Sequence, residues 1–553
     1  MRNPDGPVTG RPPVRAERGM VATSHYLGSA TGLQMLRAGG SAVDACIAAN
    51  AVLCVAYPHM AGLGGDAFAL VHRPGSAVEA LNASGPAAAL ATRDYYRSRG
   101  HVDSIPTRGP LSALTVPGAV DGWRELHERH GRLEWADLFD DAITYAREGL
   151  AVPRSLAEWT ADDVPELQEQ PGAARTYLPG GRPVREGDRL RNGGLAHSLE
   201  LIAHRGPREA FYAGELADRL CAGAGEGSPL RPDDFAAFRA EWVEPITGSY
   251  RGRTAFEFPP NTQGFAALEI LGLLEGLDVS GFGDGTADYY HHAAEAVKLA
   301  FADRNAWLTD PRSLEIPLDR LLSADYLATR RGLIDSGTAM VMEDVAPGIP
   351  GPAERASADG ADGDTCYFCA VDADGMAVSM IQSIYHDFGS TVVPEGTGIL
   401  LQNRGSFFSL ADSHPNALEP GKRTFHTLIP AMLGGPDGEP ELVYGTMGGE
   451  GQPQTHAAMV TRLVDFGYDV QQAIEAPRWL MGRTWGTTSQ DLSLEGRIPD
   501  GVIRELERRG QPVKVLADWD DNMGHAQAIR IDRESGFLEG GADPRGDGLA
   551  LGY

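Results

Sequence analysis

The chain has few cysteines, no long apolar run and a shortage of positive charge, and each absence closes off a class of protein. Its five cysteines are Cys46, Cys54, Cys221, Cys366 and Cys369. Cys366-x-x-Cys369 has no second Cys-x-x-Cys or His-x-x-x-His partner, and residues three apart in a strand project to opposite faces, so neither a metal site nor a redox site is expected. No window approaches the roughly 20 apolar residues of a membrane span. The opening stretch MRNPDGPVTGRPPVRAERG also lacks an apolar run, which makes a cytoplasmic location without membrane contact the expectation. With 48 Lys and Arg against 76 Asp and Glu, a formal charge of −28, the chain lacks the basic faces that nucleic acid or an anionic membrane requires.

What is present is enough for a large core: 553 residues at 42% hydrophobic content. Residues 25 to 57 read as two helices punctuated by Gly39-Gly40, with Ser41 and Asp44 spaced to cap the second. Its Ala, Gly and Cys positions imply close packing on a sheet. AFALVHR and SAVEALN follow as paired strands, and residues 117 to 330 read as mostly helical. The segment 343 to 364 is rich in Pro, Gly, Ala and Asp and reads as a loop or linker. After it, TCYFCAVDADGMAVSMIQSI is a hairpin around Asp372 to Gly375, and ELVYG, AQAIRID and FLEGGAD continue the strands.

Two glycine clusters invite phosphate chemistry. Gly62-x-Gly64-x-x-Ala67 formally fits a dinucleotide fingerprint, but a helix precedes it and a strand follows, the reverse of what that fingerprint needs. A tight turn between helix and sheet is the better reading. The second cluster, VYGTMGGEGQPQTHAAMVTRL, runs strand, glycines, helix, so its amides sit where negative charge is welcome. It lacks the P-loop lysine; a plain turn, a phosphate cradle and an oxyanion hole built on Gly448 and Gly449 remain open from spacing alone.

Thr365 begins a strand directly behind the acidic linker. A hydroxyl placed there can attack the carbonyl of Asp364 and shift the peptide to an ester that water cleaves. The α-amine set free, with an ordinary pKa of about 7.7 to 8.0, then serves as base for its own hydroxyl. A strand threonine with no such role is the commoner arrangement.

Several stretches together resemble the γ-glutamyltransferase family of N-terminal nucleophile hydrolases. They are GMVATSHYLGSATGLQMLRAGGSAVDACIAANAVLCV, the AGLGGDAF turn, TVPGAVDGW, DTCYFCAVDADGMAVS, GTGILLQNR, PGKRTFHTLIP, and GTMGGEG with AIEAPRW, in family order over nearly the whole chain. The resemblance implies an α+β fold of four αββα layers, with no metal or cofactor. It also implies self-cleavage between Asp364 and Thr365, the linker 343 to 364 being the scissile loop, and a heterodimer of residues 1–364 and 365–553. By carry-over Thr365 is the nucleophile, Ser383 a second hydroxyl near it, and Gly448 and Gly449 the oxyanion-hole amides.

The chain departs from the glutamyl members where they hold an amino-acid head group. Their arginine aligns with Asn82 and their acidic residue with Phe407; a Ser-Ser pair becomes His426-Thr427, and an asparagine becomes Tyr385. Arg404 stands where they carry a neutral residue, and its fork suits a carboxylate placed differently on the substrate. The pattern is similar to the branch holding cephalosporin acylase-like and oxamate amidohydrolase-like proteins. The expectation is an amidohydrolase or acyltransferase acting on a small carboxylate-bearing or N-acylated amide, with water or an amine as acceptor. Arg404 would grip the carboxylate, with Asn82, Tyr385, His426 and Thr427 shaping the pocket. The alternatives are a true γ-glutamyl transferase and an unprocessed, non-catalytic binding protein, since Cys366-Tyr367 follows Thr365 where glutamyl members have Thr-His.

Overall fold

A computed structural model of one continuous chain describes residues 6–352, 364–483 and 489–553, and for Asp364 the backbone only. Fourteen strands build the two central sheets. In chain order they are β1 (Val14–Ala16), β2 (Met20–Thr23), β3 (Asp66–His72), β4 (Glu79–Ala83), β5 (Glu241–Val243), β6 (Ile246–Tyr250) and β7 (Arg253–Glu257). They continue as β8 (Asp364–Val371), β9 (Ala377–Tyr385), β10 (Ala431–Gly434), β11 (Pro440–Thr446), β12 (Ala526–Ile531), β13 (Leu538–Ala542) and β14 (Leu549–Gly552). One sheet runs β14-β2-β8-β9-β3-β4-β5, the other β1-β13-β12-β11-β10-β7-β6, antiparallel throughout.

Period-two alternation divides the side chains of each strand between two cores. Phe68, Leu70, Tyr367, Cys369, Ile381, Met432, Val443 and Ile529 meet between the sheets. Cys366, Phe368, Val378 and Met380 face the other way, onto helices α1 (Tyr26–Arg37), α2 (Ala42–Ala56) and α3 (Ala119–His130). The second sheet turns its outer face to α4 (Gly264–Glu275), α5 (Ala287–Trp307) and α6 (Gln452–Val464). The result is the four-layer αββα sandwich, and Cys366 and Cys369 lie in different layers as buried thiols outside any disulfide. Helix α2 is buried on every side because alanine and small residues let it lie flat on the sheet, and Ser41 with Asp44 closes its capping box.

Two segments carry more structure than their composition suggests. The stretch read as mostly helical also contains β5 to β7. Residues 246–249 alternate partly buried with exposed at a sheet edge before the buried Tyr250, leaving little apolar signal. The linker is not loose from its first residue: Val345 and Ile349 are buried, the Gly348 amide donates to Asp303 Oδ1 at 2.7 Å, and the Trp307 indole donates to the Ile349 carbonyl at 3.0 Å. Residues 353–363 of that linker lie outside the described residues.

Candidate active site

The site is built at one margin of the sandwich. Two contacts set the alignment of the sheets: His72 Nε2 lies 3.2 Å from Glu439 at the start of β11, and the Tyr367 ring packs against Gly445 near its end. The beginning of β8 and the end of β11 therefore share a margin. Asp364 pairs with Tyr385 and the register slips before Cys366, a local irregularity of the kind that re-aims a side chain. Thr365 sits within that irregularity, two residues before Tyr367, whose ring lies between the sheets. The Thr365 hydroxyl is buried and has no hydrogen-bond partner among the described residues.

Register then carries the inner face across three strands. Ser383 on β9 is level with Asp66 on β3, and Phe68 is level with Asn82 on β4. Ser383 Oγ accepts the Tyr385 amide at 2.7 Å, folding the chain sharply where Tyr385 takes a φ of 82°. An aromatic residue held in the left-handed region costs of order 1–3 kcal/mol and persists only where packing enforces it. Here the Tyr385 ring is fixed against Phe407 at 4.8 Å, and Phe407 against Phe425 at 4.8 Å.

Arg404 lies over this aromatic stack, its guanidinium carbon 4.0 Å from the Tyr385 centroid and 5.5 Å from that of Phe407. It is 1% exposed, reaches Thr427 Oγ1 through both terminal nitrogens at only 3.4 Å, and has no ion-pair partner among the described residues. Burial brings its pKa down to about 10, with Tyr385 and Asp66 working against that shift, so it stays charged at neutral pH. A structural ion pair, the plainer role for a buried arginine, is thereby absent.

Asp66 was not singled out in the sequence, although it follows the AGLGGDAF glycines directly. Its Oδ1 accepts from the Gly85 and Gly118 amides and from Gln402, each at 3.0 Å, and its Oδ2 lies 3.3 Å from His426 Nε2. Burial pushes this carboxyl up to about 7, against those donors and Arg404. Burial and the Arg404 charge hold His426 well below its ordinary pKa, so the imidazole is neutral. His426 Nδ1 is buried and has no hydrogen-bond partner among the described residues. Asn82, by contrast, is spent on structure: its amide donates to Asn261 Oδ1 at 3.0 Å and its carbonyl accepts from the Ser84 amide and hydroxyl.

Across from these residues, β11 runs into Met447, Gly448 and Gly449 and then into α6. Gly448 has a φ of 122° and Gly449 of 53°, backbone that favours glycine. The Met447 carbonyl accepts the Thr446 hydroxyl at 2.7 Å, the Gly448 carbonyl accepts the Gly451 amide at 2.8 Å, and the Gly449 carbonyl accepts Gln263 Nε2 at 3.0 Å. In a trans peptide the N–H points opposite the C=O. Pinning the Met447 and Gly448 carbonyls therefore sets the direction of the Gly448 and Gly449 amides, as an anion cradle requires. Among the described residues no group of three or more His, Cys, Asp or Glu is placed to hold a metal ion, and no helix is long and apolar enough to cross a membrane.

The four-layer αββα sandwich is the fold of the N-terminal nucleophile hydrolase class. Within that class the chain belongs to the gamma-glutamyltranspeptidase family, whose model matches residues 28–553. It is 46% identical to the glutathione hydrolase-like YwrD proenzyme of Bacillus subtilis over 538 residues, 96% of this chain and 98% of that one. It is 44% identical over 541 residues to the oxamate amidohydrolase proenzyme of Klebsiella pneumoniae, 97% of this chain and 98% of the relative. Among solved structures it resembles the cephalosporin acylase of Bacillus halodurans, with a TM-score of 0.90 and 39% identity, covering 100% of this chain and 99% of the other.

Proposed function

We propose that the protein is a self-processing amidohydrolase for a small amide that carries a carboxylate. The observation that carries the reading is Arg404, a buried guanidinium with no ion-pair partner among the described residues, stacked on Tyr385 within the same cluster as Thr427 and His426. A cation in that setting has every electrostatic reason to take an anion from a ligand. In the uncleaved chain, Thr365 Oγ attacks the Asp364 carbonyl; the C–N bond breaks, an ester forms, and water hydrolyses it to leave residues 1–364 and 365–553 as a heterodimer. In the processed enzyme the Thr365 α-amine takes the hydroxyl proton as Oγ bonds to the substrate carbonyl carbon. The Gly448 and Gly449 amides hold the oxyanion. The C–N bond then breaks, the amine departs with that proton, and water, deprotonated by the same α-amine, releases the acid. Ser383 orders the backbone beside Thr365, and Tyr385, His426 and Thr427 wall the carboxylate end, with Asn82 behind them.

Names borne by the relatives agree with this chemistry: one is an amidohydrolase of oxamate, an amide bearing a carboxylate, and proenzyme names imply cleavage. A glutathione-type substrate fits less well. Phe407 occupies the position where an ammonium would need an acid, and both oxygens of the nearby Asp66 are engaged. The test is to compare hydrolysis of oxamate and other short carboxylate-bearing amides with that of a γ-glutamyl anilide. Turnover of the first group and not of the anilide is expected; preference for the anilide would overturn the assignment.

A further inference from the structure

Behind the glycine turn lies a line of buried polar groups to which the proposed chemistry gives no part. Gln263, just before α4, is 0% exposed. Its Nε2 donates to the Gly449 carbonyl at 3.0 Å and to the Thr427 carbonyl at 2.9 Å. Its Oε1 accepts Arg304 Nη1 at 2.8 Å. Arg304, on α5, donates Nη2 to Glu450 Oε2 at 2.5 Å, lies 3.8 Å over the Phe301 ring and is 2% exposed. Glu450, the next residue after Gly449, is also bonded by Arg483, and these two guanidiniums hold its carboxyl down at about 2 against the effect of burial.

The chemistry of the groups leaves one arrangement. Arginine has only donors, so the oxygen of the Gln263 amide must face Arg304 and the nitrogen must face the two carbonyls. The carboxylate of Glu450 in turn fixes Arg304. We infer that Gln263, locked by Arg304 and Glu450, is the positioning residue of the oxyanion turn. By holding the Gly449 and Thr427 carbonyls on one amide nitrogen, it anchors the Gly449–Glu450 peptide, directly after the two peptides that carry the Gly448 and Gly449 amides, and ties that turn to the wall beside Arg404. It does not touch the substrate. The inference rests on the reading of the Gly448 and Gly449 amides as oxyanion donors.

Its removal should therefore lower turnover rather than binding. In Gln263→Met, of similar volume but without the donor, and in Gln263→Glu, which keeps an acceptor for Arg304 but offers no donor, kcat for the preferred amide should fall about 10- to 100-fold with KM changed less than about threefold. The measurement is made on wild type and Gln263 variants whose mass shows cleavage before Thr365, beside Thr365→Ala as the control that lacks the hydroxyl. Activity retained by Thr365→Ala would remove the nucleophile reading itself. An inactive Thr365→Ala together with full kcat in both Gln263 variants would overturn the positioning role alone, as would a KM rise with kcat unchanged. Independently of any variant, a crystal structure of the processed wild-type enzyme should keep Gln263 Nε2 within hydrogen-bond distance of the Gly449 carbonyl; loss of that bond would overturn the inference.

Discussion

Burying a guanidinium with no carboxylate in ion-pair contact costs several kcal/mol, and Arg404 is buried in that way among the described residues. Replacing it by Ala should raise KM for a carboxylate-bearing amide at least about tenfold, and Lys should rescue only in part because it lacks the planar fork. An unchanged KM in steady-state kinetics would take Arg404 out of the site. Asp66 gives a second residue-scale prediction. Its folded pKa of about 7 lies above the ordinary carboxylate value, so its contribution to stability is complete below that ordinary value and is lost as pH rises through 7. Asp66→Asn cannot ionise, so the wild type should lose melting temperature relative to the variant between about pH 4 and 7 and run parallel to it above. Curves parallel throughout would show that Asp66 does not titrate there. Neither residue was equally visible beforehand: Arg404 stood out as a charge where a neutral residue was expected, whereas Asp66 looked like the end of a turn.

At the scale of elements, the two glycine turns do different work. A Cβ on Gly65 would lie 2.2 Å from the Ser383 carbonyl oxygen, and one on Gly64 2.1 Å from that of Leu400, so this turn lies directly on β9 and on the segment leading to Arg404. Gly65→Ala must push β9 away from β3 at the level of Ser383. We expect a loss of about 1–3 kcal/mol in stability, with a kcat deficit. Gly193→Ala, where no atom lies within 4 Å of the added carbon, should be close to neutral in both melting and kinetics. Equal behaviour of the two variants would refute the close-approach argument. The strand, glycine, helix order of the second turn could be read from GTMGGEG, but its clamps could not. Gln263 and Arg304 lie more than a hundred residues before it, in segments whose local pattern is that of any packed helix entry.

At the scale of the molecule, both sheets mix strands from either side of the Asp364–Thr365 bond. β8 and β9 lie between β2 and β3, and β10 to β13 lie between β1 and β7. Cleavage there should yield fragments of 364 and 189 residues, about 39 and 20 kDa from 58.9 kDa. They should co-elute on gel filtration at the size of the intact chain and part only on denaturation. Thr365→Ala should run as one uncut band. Fragments that separated under native conditions would contradict an interleaved fold, and an uncut wild type would favour the binding-protein alternative.

The sequence by itself determined the alternation that splits β8 between two cores, the capped alanine-rich helix that lies flat on its sheet, the hairpin around Asp372 to Gly375 and the family motifs in their order. These are local signals, written within a turn or a strand's length. Only the tertiary structure decided that Arg404 has no ion-pair contact among the described residues, that Asn82 is committed to Asn261 and Ser84, that Asp66 meets His426, and that Gln263 bonds the Gly449 carbonyl. Burial and hydrogen-bond satisfaction are properties of groups brought together from distant parts of the chain, and no local pattern records which partner a buried polar atom will find.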